Sequence, residues 1–327
     1  SGITEFVTDL TDEQVGAGDT ITLQCKVNTE ELTATWEKDG QTLHCVPGKH
    51  VMKQDGKSLS LKIKNVEEED DGIYTLTLIN SKAFKIHNDK VKVLNFLLCG
   101  PYGAGKSSII NTINSVLEGQ ISVGYQGCLE SSFHKRQVGN AKDGFLPLVL
   151  NDTMGLESEP MYGLHPDDII AALKGHITDG YTFTPNTPIN ENSPYYRENP
   201  SLSDRMHCLV HVIPAENCYM DEFFQKMNKI KDAANKMDLP QVILMTKVDK
   251  TCTLTKKDLK HVYNSKKIKD KMHKCHIELG IKMYAIFPMK NYHEESDVSE
   301  DVNCLMLHAL TRIVRWADDY ADKYSNN

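Results

Sequence analysis

The chain has 327 residues, 40% hydrophobic and 25% charged, a composition ordinary for a globular protein and long enough for two domains. Its formal net charge of −8 argues against a nucleic-acid-binding surface spread over the whole molecule, while leaving room for a local basic patch. No apolar run approaches the length that crosses a bilayer, since the longest, such as LPLVL and QVILM, are strand-sized.

Up to about residue 90 the segments are short and alternate apolar with polar: DTITLQCKV, TATWEKDG, SLSLKIKNV and GIYTLTLIN. Period-two patterning broken by regular turns predicts an all-β antiparallel sandwich. Cys25, Trp36 and the run Asp70-Asp71-Gly72-Ile73-Tyr74 give this stretch a resemblance to immunoglobulin domains of the intermediate set, over about residues 5–93. The resemblance implies Cys25 on the second strand, Trp36 on the third and Tyr74 at a tyrosine corner. It also implies a module that binds protein partners or spaces domains. One position departs, because the second cysteine of the DxGxYxC pattern falls on Leu76. Cys25 is then expected to be a free thiol, with Leu76 packed on Trp36 as plain core. The domain must do without the roughly 2–4 kcal/mol that an intersheet disulfide contributes. Nine cysteines, an odd number with no CxxC spacing, make a disulfide framework unexpected and a reducing, cytoplasmic setting the expectation.

From residue 93 onward, strand-like runs alternate with longer helical patterns, so the division expected is 1–92 and 93–327. LNFLLCG precedes KSSIINTINSVLEG, CLVHVIP precedes YMDEFFQKMNKIKDAANKM, and QVILMT precedes a lysine-rich helix. YAIFPM and a helix through HALTRIVRWADDYADK complete the series. This predicts an α/β domain with a mainly parallel sheet covered on both faces. DGYTFTPNTPINENSPYYRENPSLS, rich in Pro, Asn and Ser, reads as a surface insertion or mobile lid. His273, Cys275 and His276 crowd one basic helix, but consecutive helical positions diverge, so solvated surface is the expectation rather than zinc.

The motif that carries chemistry is CGPYGAGKSS. Gly100, Gly105, Lys106 and Ser107 fit GxxxxGK[ST], with Tyr102, Gly103, Ala104 and Ser108 completing the loop between a strand and a helix. Such a loop turns backbone N–H groups onto a β-phosphate, and the helix N-terminus adds partial positive charge. Lys106 would reach the β- and γ-phosphates, and Ser107 would offer its hydroxyl to Mg²⁺. LPLVLNDTMG then ends a strand with Asp152 and Gly155, the first suited to Mg²⁺ through water and the second to a γ-phosphate. Farther on, Thr246, Lys247 and Asp249 form TKVD, in which the carboxylate can accept two N–H bonds from a guanine edge while the lysine stem covers the base. Three short motifs in order, each after its own strand, point to GTP or GDP with Mg²⁺. The base-capping position, usually spelled SAK, falls in FPMKNY, where Met289 and Lys290 are the candidates. Ser131 and Ser132 are candidates for the hydroxyl of a first switch, with surface hydroxyls the alternative.

GPYGAGKSSIINTINSVLEG, DTMGLE, MTKVDK and IFPMKNYHEE together resemble the interferon-induced protein 44 family of P-loop GTPase-like proteins, from about residue 92 onward. The resemblance implies a cytoplasmic, interferon-responsive antiviral protein that binds guanine nucleotide. Three roles compete: a nucleotide-gated module with slow hydrolysis, a competent GTPase completed by a partner or dimer, and a scaffold. The residue after DxxG is Leu156, which cannot polarise water, so the first is preferred. A nucleotide-dependent homodimer across the switch face is a related expectation. FKIHNDKVKV runs into the next strand with no Gly, Pro or Ser, which predicts a tight junction, the alternative being a short hinge at HNDK.

Overall fold

The computed structural model describes residues 6–28, 33–39, 41–43, 45–79, 91–122, 132–140, 144–156, 164–184, 187–216 and 221–325. The chain divides into two compact units, Ser1–Phe84 and Lys85–Asn327. The junction, expected either tight or hinged, falls on residues 80–90 and lies outside the described residues.

In the first unit, β1 (Phe6–Thr8), β2 (Ile21–Val27), β6 (Ser58–Ile63) and β5 (His50–Asp55) form one antiparallel sheet in the order β1-β2-β6-β5. The second sheet is β4 (Gln41–Thr42), β3 (Thr33–Lys38) and β7 (Tyr74–Ile79), in the order β4-β3-β7. Alternation sets what is buried. Along β2 every second residue, Leu23, Cys25 and Val27, enters the core, where Leu59, Leu61 and Ile63 of β6 meet them. Trp36 and Leu76 stand directly opposite in register, 3% and 7% exposed, so leucine occupies the place of the missing sulfur as expected. Cys25 is a buried free thiol whose pKa burial pushes up. Tyr74 donates its hydroxyl to the Asp70 carbonyl at 2.7 Å, closing the corner.

The second unit is built on a six-stranded sheet: β8 (Leu94–Cys99), β9 (His134–Asn140), β10 (Gly144–Asp152), β11 (Cys208–Pro214), β12 (Gln241–Thr246) and β13 (Ile286–Pro288), in the spatial order β13-β12-β11-β8-β10-β9. All neighbours pair in parallel except the edge strand β9, which is antiparallel to β10. Every residue of β8 and β11 is buried, which is why both are apolar except for Asn95 and His211, each hydrogen-bonded inside the domain. The helices are α1 (Lys106–Glu118), α2 (Pro166–Leu173), α3 (Asp221–Lys236), the short α4 (Val248–Thr251) and α5 (Thr253–Lys257), α6 (Lys266–Leu279) and α7 (Glu300–Ser325). Ile109 and Ile113 of α1 and Met306, Leu310 and Ile313 of α7 cover Phe96, Leu150, Val210 and Leu244 on one face. Helix α2 packs with α3, and α3 with α6. No helix among the described residues is long and apolar enough to cross a membrane.

Of the two expectations for the Pro- and Asn-rich segment, its described residues fit the surface insertion, largely exposed but anchored by two buried aromatics. Phe133 donates its N–H to the Tyr181 carbonyl at 2.7 Å, Gly180 returns a bond to Phe133 at 3.0 Å, and Ser132 bridges Thr182. Tyr181 and Phe183 are buried and meet edge to face, and Phe183 meets Phe133 in the same way. Aromatic burial holds the described part of the segment in place despite its loop-like composition.

Candidate functional site

The strand order reverses beside β8: the chain runs from β8 to β10 on one side and then crosses to β11 on the other. In open parallel sheets the crevice outside the carboxyl ends at such a reversal is where ligands sit. The glycine-rich loop leaves β8 at this place. Gly105, at φ 94°, is the left-handed residue before α1. The N–H groups of the first turn of α1 have no intrahelical acceptor and are available to an anion.

Inside the loop, Lys106 is only 7% exposed and donates to the carbonyls of Gly100 at 3.2 Å and Pro101 at 3.1 Å. Ser107 donates its hydroxyl to Oδ2 of the buried Asp152 at 2.7 Å, joining the first and second motifs across 45 residues. Thr246 donates to the Ala104 carbonyl at 2.6 Å, which ties the third motif to the loop. Gly155 packs on the loop so closely that a Cβ there would lie 2.6 Å from the Tyr102 backbone. Tyr102 itself is 77% exposed. Gly103 has a left-handed φ of 70°, and Ser108 is half-buried in the first turn of α1.

Two lysines, one in TKVD and one in FPMKNY, are held by carboxylates that sequence reading did not single out. Lys247 pairs with Glu216 at 2.8 Å and Lys290 with Glu295 at 2.5 Å. Burial works against ionisation of Glu295, but the Lys290 ammonium and the His293 N–H overcome it and hold the carboxyl at about 2. Lys247 adopts φ 58°, a strained conformation for a residue with a Cβ. Asp249, two residues on, is half-buried and makes no hydrogen bond or ion pair among the described residues. Asn291 was missed: its amide donates to the Gly105 carbonyl at 3.1 Å, and it accepts from Thr112 at 3.4 Å. The signal available was its place beside Lys290 in FPMKNY.

Leu156 is 1% exposed, and its N–H bonds to the Gly100 carbonyl at 3.0 Å. Of the first-switch candidates, Ser131 lies outside the described residues, and Ser132 is buried in its bridge to Thr182. Glu157, which could have supplied a catalytic group, also lies outside them. A cavity of about 500 Å³ lies at the amino ends of β12 and β13, lined by Gln241, Tyr284, Trp316 and Tyr320 and by none of the predicted site residues. Topology favours the opposite end of the sheet as the ligand site.

The first unit is an immunoglobulin-like sandwich, and the second a mixed-sheet α/β domain with its charged and hydroxyl groups gathered at the carboxyl ends of the strands. The immunoglobulin I-set family matches residues 4–93. The chain is 34% identical to interferon-induced protein 44 of Mus musculus over 251 residues, covering 74% of this chain and 58% of that protein. Identity to the Homo sapiens protein of the same name is 31% over 249 residues, 74% of this chain and 56% of the relative. Among solved structures, domain I10 of titin aligns with 24% of this chain and 89% of its own, at 23% identity and a TM-score of 0.23. The chain is thus similar to the interferon-induced protein 44-like family and bears an I-set domain. It spans a little over half the length of the curated relatives it matches.

Proposed function

We propose that the second unit is a P-loop GTPase-like module that binds guanine nucleotide with Mg²⁺, changes state with the nucleotide and hydrolyses GTP slowly. The observation that carries this reading is the Ser107–Asp152 bond of 2.7 Å beneath a loop whose lysine is buried against its own carbonyls. A half-buried hydroxyl on a buried carboxylate, beside a buried ammonium, is a donor set suited to a metal-bound polyphosphate. Ser107 and, through water, Asp152 would hold Mg²⁺, which when bound neutralises charge on the phosphates. Lys106 would exchange its two carbonyl partners for phosphate oxygens. Asp249 would accept from the guanine edge, with the stems of Lys247 and Lys290 beside the base. Leu156, buried and bonded to Gly100, has no group with which to orient a water, which supports slow hydrolysis. A nucleotide-dependent homodimer and protein partners for the sandwich belong to the same reading. So does an interferon-induced, antiviral role in the cytoplasm, in keeping with the relatives' name and the free Cys25 thiol.

Calorimetry with GTP, GDP and ATP in the presence of Mg²⁺ tests it. Guanine nucleotides are expected to bind with clear preference. Equal affinity for ATP removes the guanine assignment, and no binding of any nucleotide removes the function.

A further inference from the structure

Residues 253–277 hold eight lysines and three histidines against two aspartates, a local formal charge of +6 in a chain whose total is −8. The nucleotide reading uses none of these lysines. Elsewhere in the second unit lysines find carboxylates: Lys229 meets Asp167 at 2.7 Å, Lys247 meets Glu216 at 2.8 Å and Lys323 meets Asp238 at 2.9 Å. Lys256, Lys257, Lys266, Lys267, Lys269 and Lys274 form no ion pair among the described residues. All but Lys274 are exposed.

Helix α6 shows how they are presented. Ile268, Met272, Cys275 and Leu279 make one buried stripe, so the helix is fixed to the domain by its apolar side. The opposite side carries Lys266, Lys267, His273 and Lys274 with one exposed acid, Asp270, among them, and Lys269 at its margin. Ile277, 75% exposed, lies on that side in the last turn of the helix, beside His273, Lys274 and Glu278. Folding gains nothing from crowding Lys266, Lys267 and Lys269 into the first turn of the helix, or from exposing an isoleucine in its last turn. A surface of this kind matches a dense, diffuse negative charge with an apolar layer beneath it.

We propose that the exposed face of α6 docks on an anionic phospholipid bilayer, with the lysines at the headgroups and Ile277 at the edge of the hydrocarbon. Nucleic acid is the poorer fit. Every cation of the patch is a lysine, with no arginine fork for bidentate recognition, and α6 contains no Phe, Tyr or Trp on which a base could stack.

The test is cosedimentation of the full chain with vesicles of phosphatidylcholine alone and of phosphatidylcholine mixed with phosphatidylserine. Binding is expected only to the second and should weaken steeply as salt rises. Neutralising one lysine lowers the partition coefficient about fivefold, so the triple variant K266Q/K267Q/K269Q should bind roughly a hundredfold less well. Circular dichroism melting checks that the variant folds. The salt series on the unchanged chain and the single variant Ile277→Ser, expected to bind severalfold less, stand independently of it. Equal binding to both vesicles, or to neither, overturns the proposal. Two other results also overturn it. One is retention of RNA or duplex DNA through these lysines without vesicle binding. The other is salt-sensitive self-association through them, in which the first unit of a second copy, with fifteen acidic and eight basic residues, would be the occupant.

Discussion

Asp249 is the residue on which guanine selectivity turns, because its half-buried carboxylate is committed to nothing else among the described residues. Asp249→Asn swaps an acceptor for a donor opposite the base. GTP should bind about 1.5–3 kcal/mol more weakly, and xanthosine triphosphate, whose edge is complementary to the amide, should gain; competition calorimetry reads both. Leu76 offers a second residue-scale test. It shares a core with Cys25 and sits where the disulfide-bearing relatives of this fold place sulfur. Leu76→Cys should form the bond under oxidising conditions, making the oxidised variant about 2–4 kcal/mol more stable than its reduced form in urea titrations. A reductant that leaves the midpoint unmoved would count against that geometry. Individual residues were legible in sequence where a motif specifies them: Lys106, Ser107, Asp152 and Thr246 do converge. Asn291 was not, since its bond to Gly105 spans 186 residues and exists only because the turn after β13 returns to the start of α1.

Among the elements, the insertion after α2 is the one that sequence reading described least well. Its Pro, Asn and Ser content obscures Tyr181 and Phe183, and a composition window cannot see that their packing partner is Phe133, far upstream. The anchor is Asp168, in the first turn of α2, fully buried and accepting from the Ile189 N–H at 2.7 Å and the Tyr181 hydroxyl at 3.3 Å. Burial raises its pKa above the ordinary 3.8, more than these two bonds lower it. The folded state therefore holds the proton more tightly than the unfolded one. This contribution to stability is fully present below pH 3.8 and is lost as pH rises through the elevated folded value. Asp168→Asn keeps an accepting oxygen, removes the charge and should flatten that dependence in denaturation measured across the acid range. Asp168→Ala abandons both donors and should cost about 1–3 kcal/mol at every pH. The strand–helix alternation, by contrast, was open to reading, because fully buried parallel strands such as β8 and β11 are predominantly apolar.

At the scale of the molecule, the sheet order brings three motifs to one end and leaves Leu156 bonded to the loop. If the site works as proposed, turnover without a partner should lie nearer ~10⁻⁴ s⁻¹ than the 1–100 s⁻¹ of assisted phosphoryl transfer. A steady rate above about 1 s⁻¹, independent of protein concentration, would contradict this. Nucleotide at a hundred times its dissociation constant should also stabilise the second unit by about 2.7 kcal/mol. The chain has two tryptophans, and the fold assigns one to each unit: Trp36 buried against Leu76, and Trp316 beside Tyr284 and Phe287. The protein is thus born with two separate intrinsic fluorophores. Replacing either by phenylalanine leaves a single-colour thermometer for the other unit. The Trp316 signal should melt later when GTP is added, while the Trp36 signal measures directly how much of that gain is passed to the sandwich.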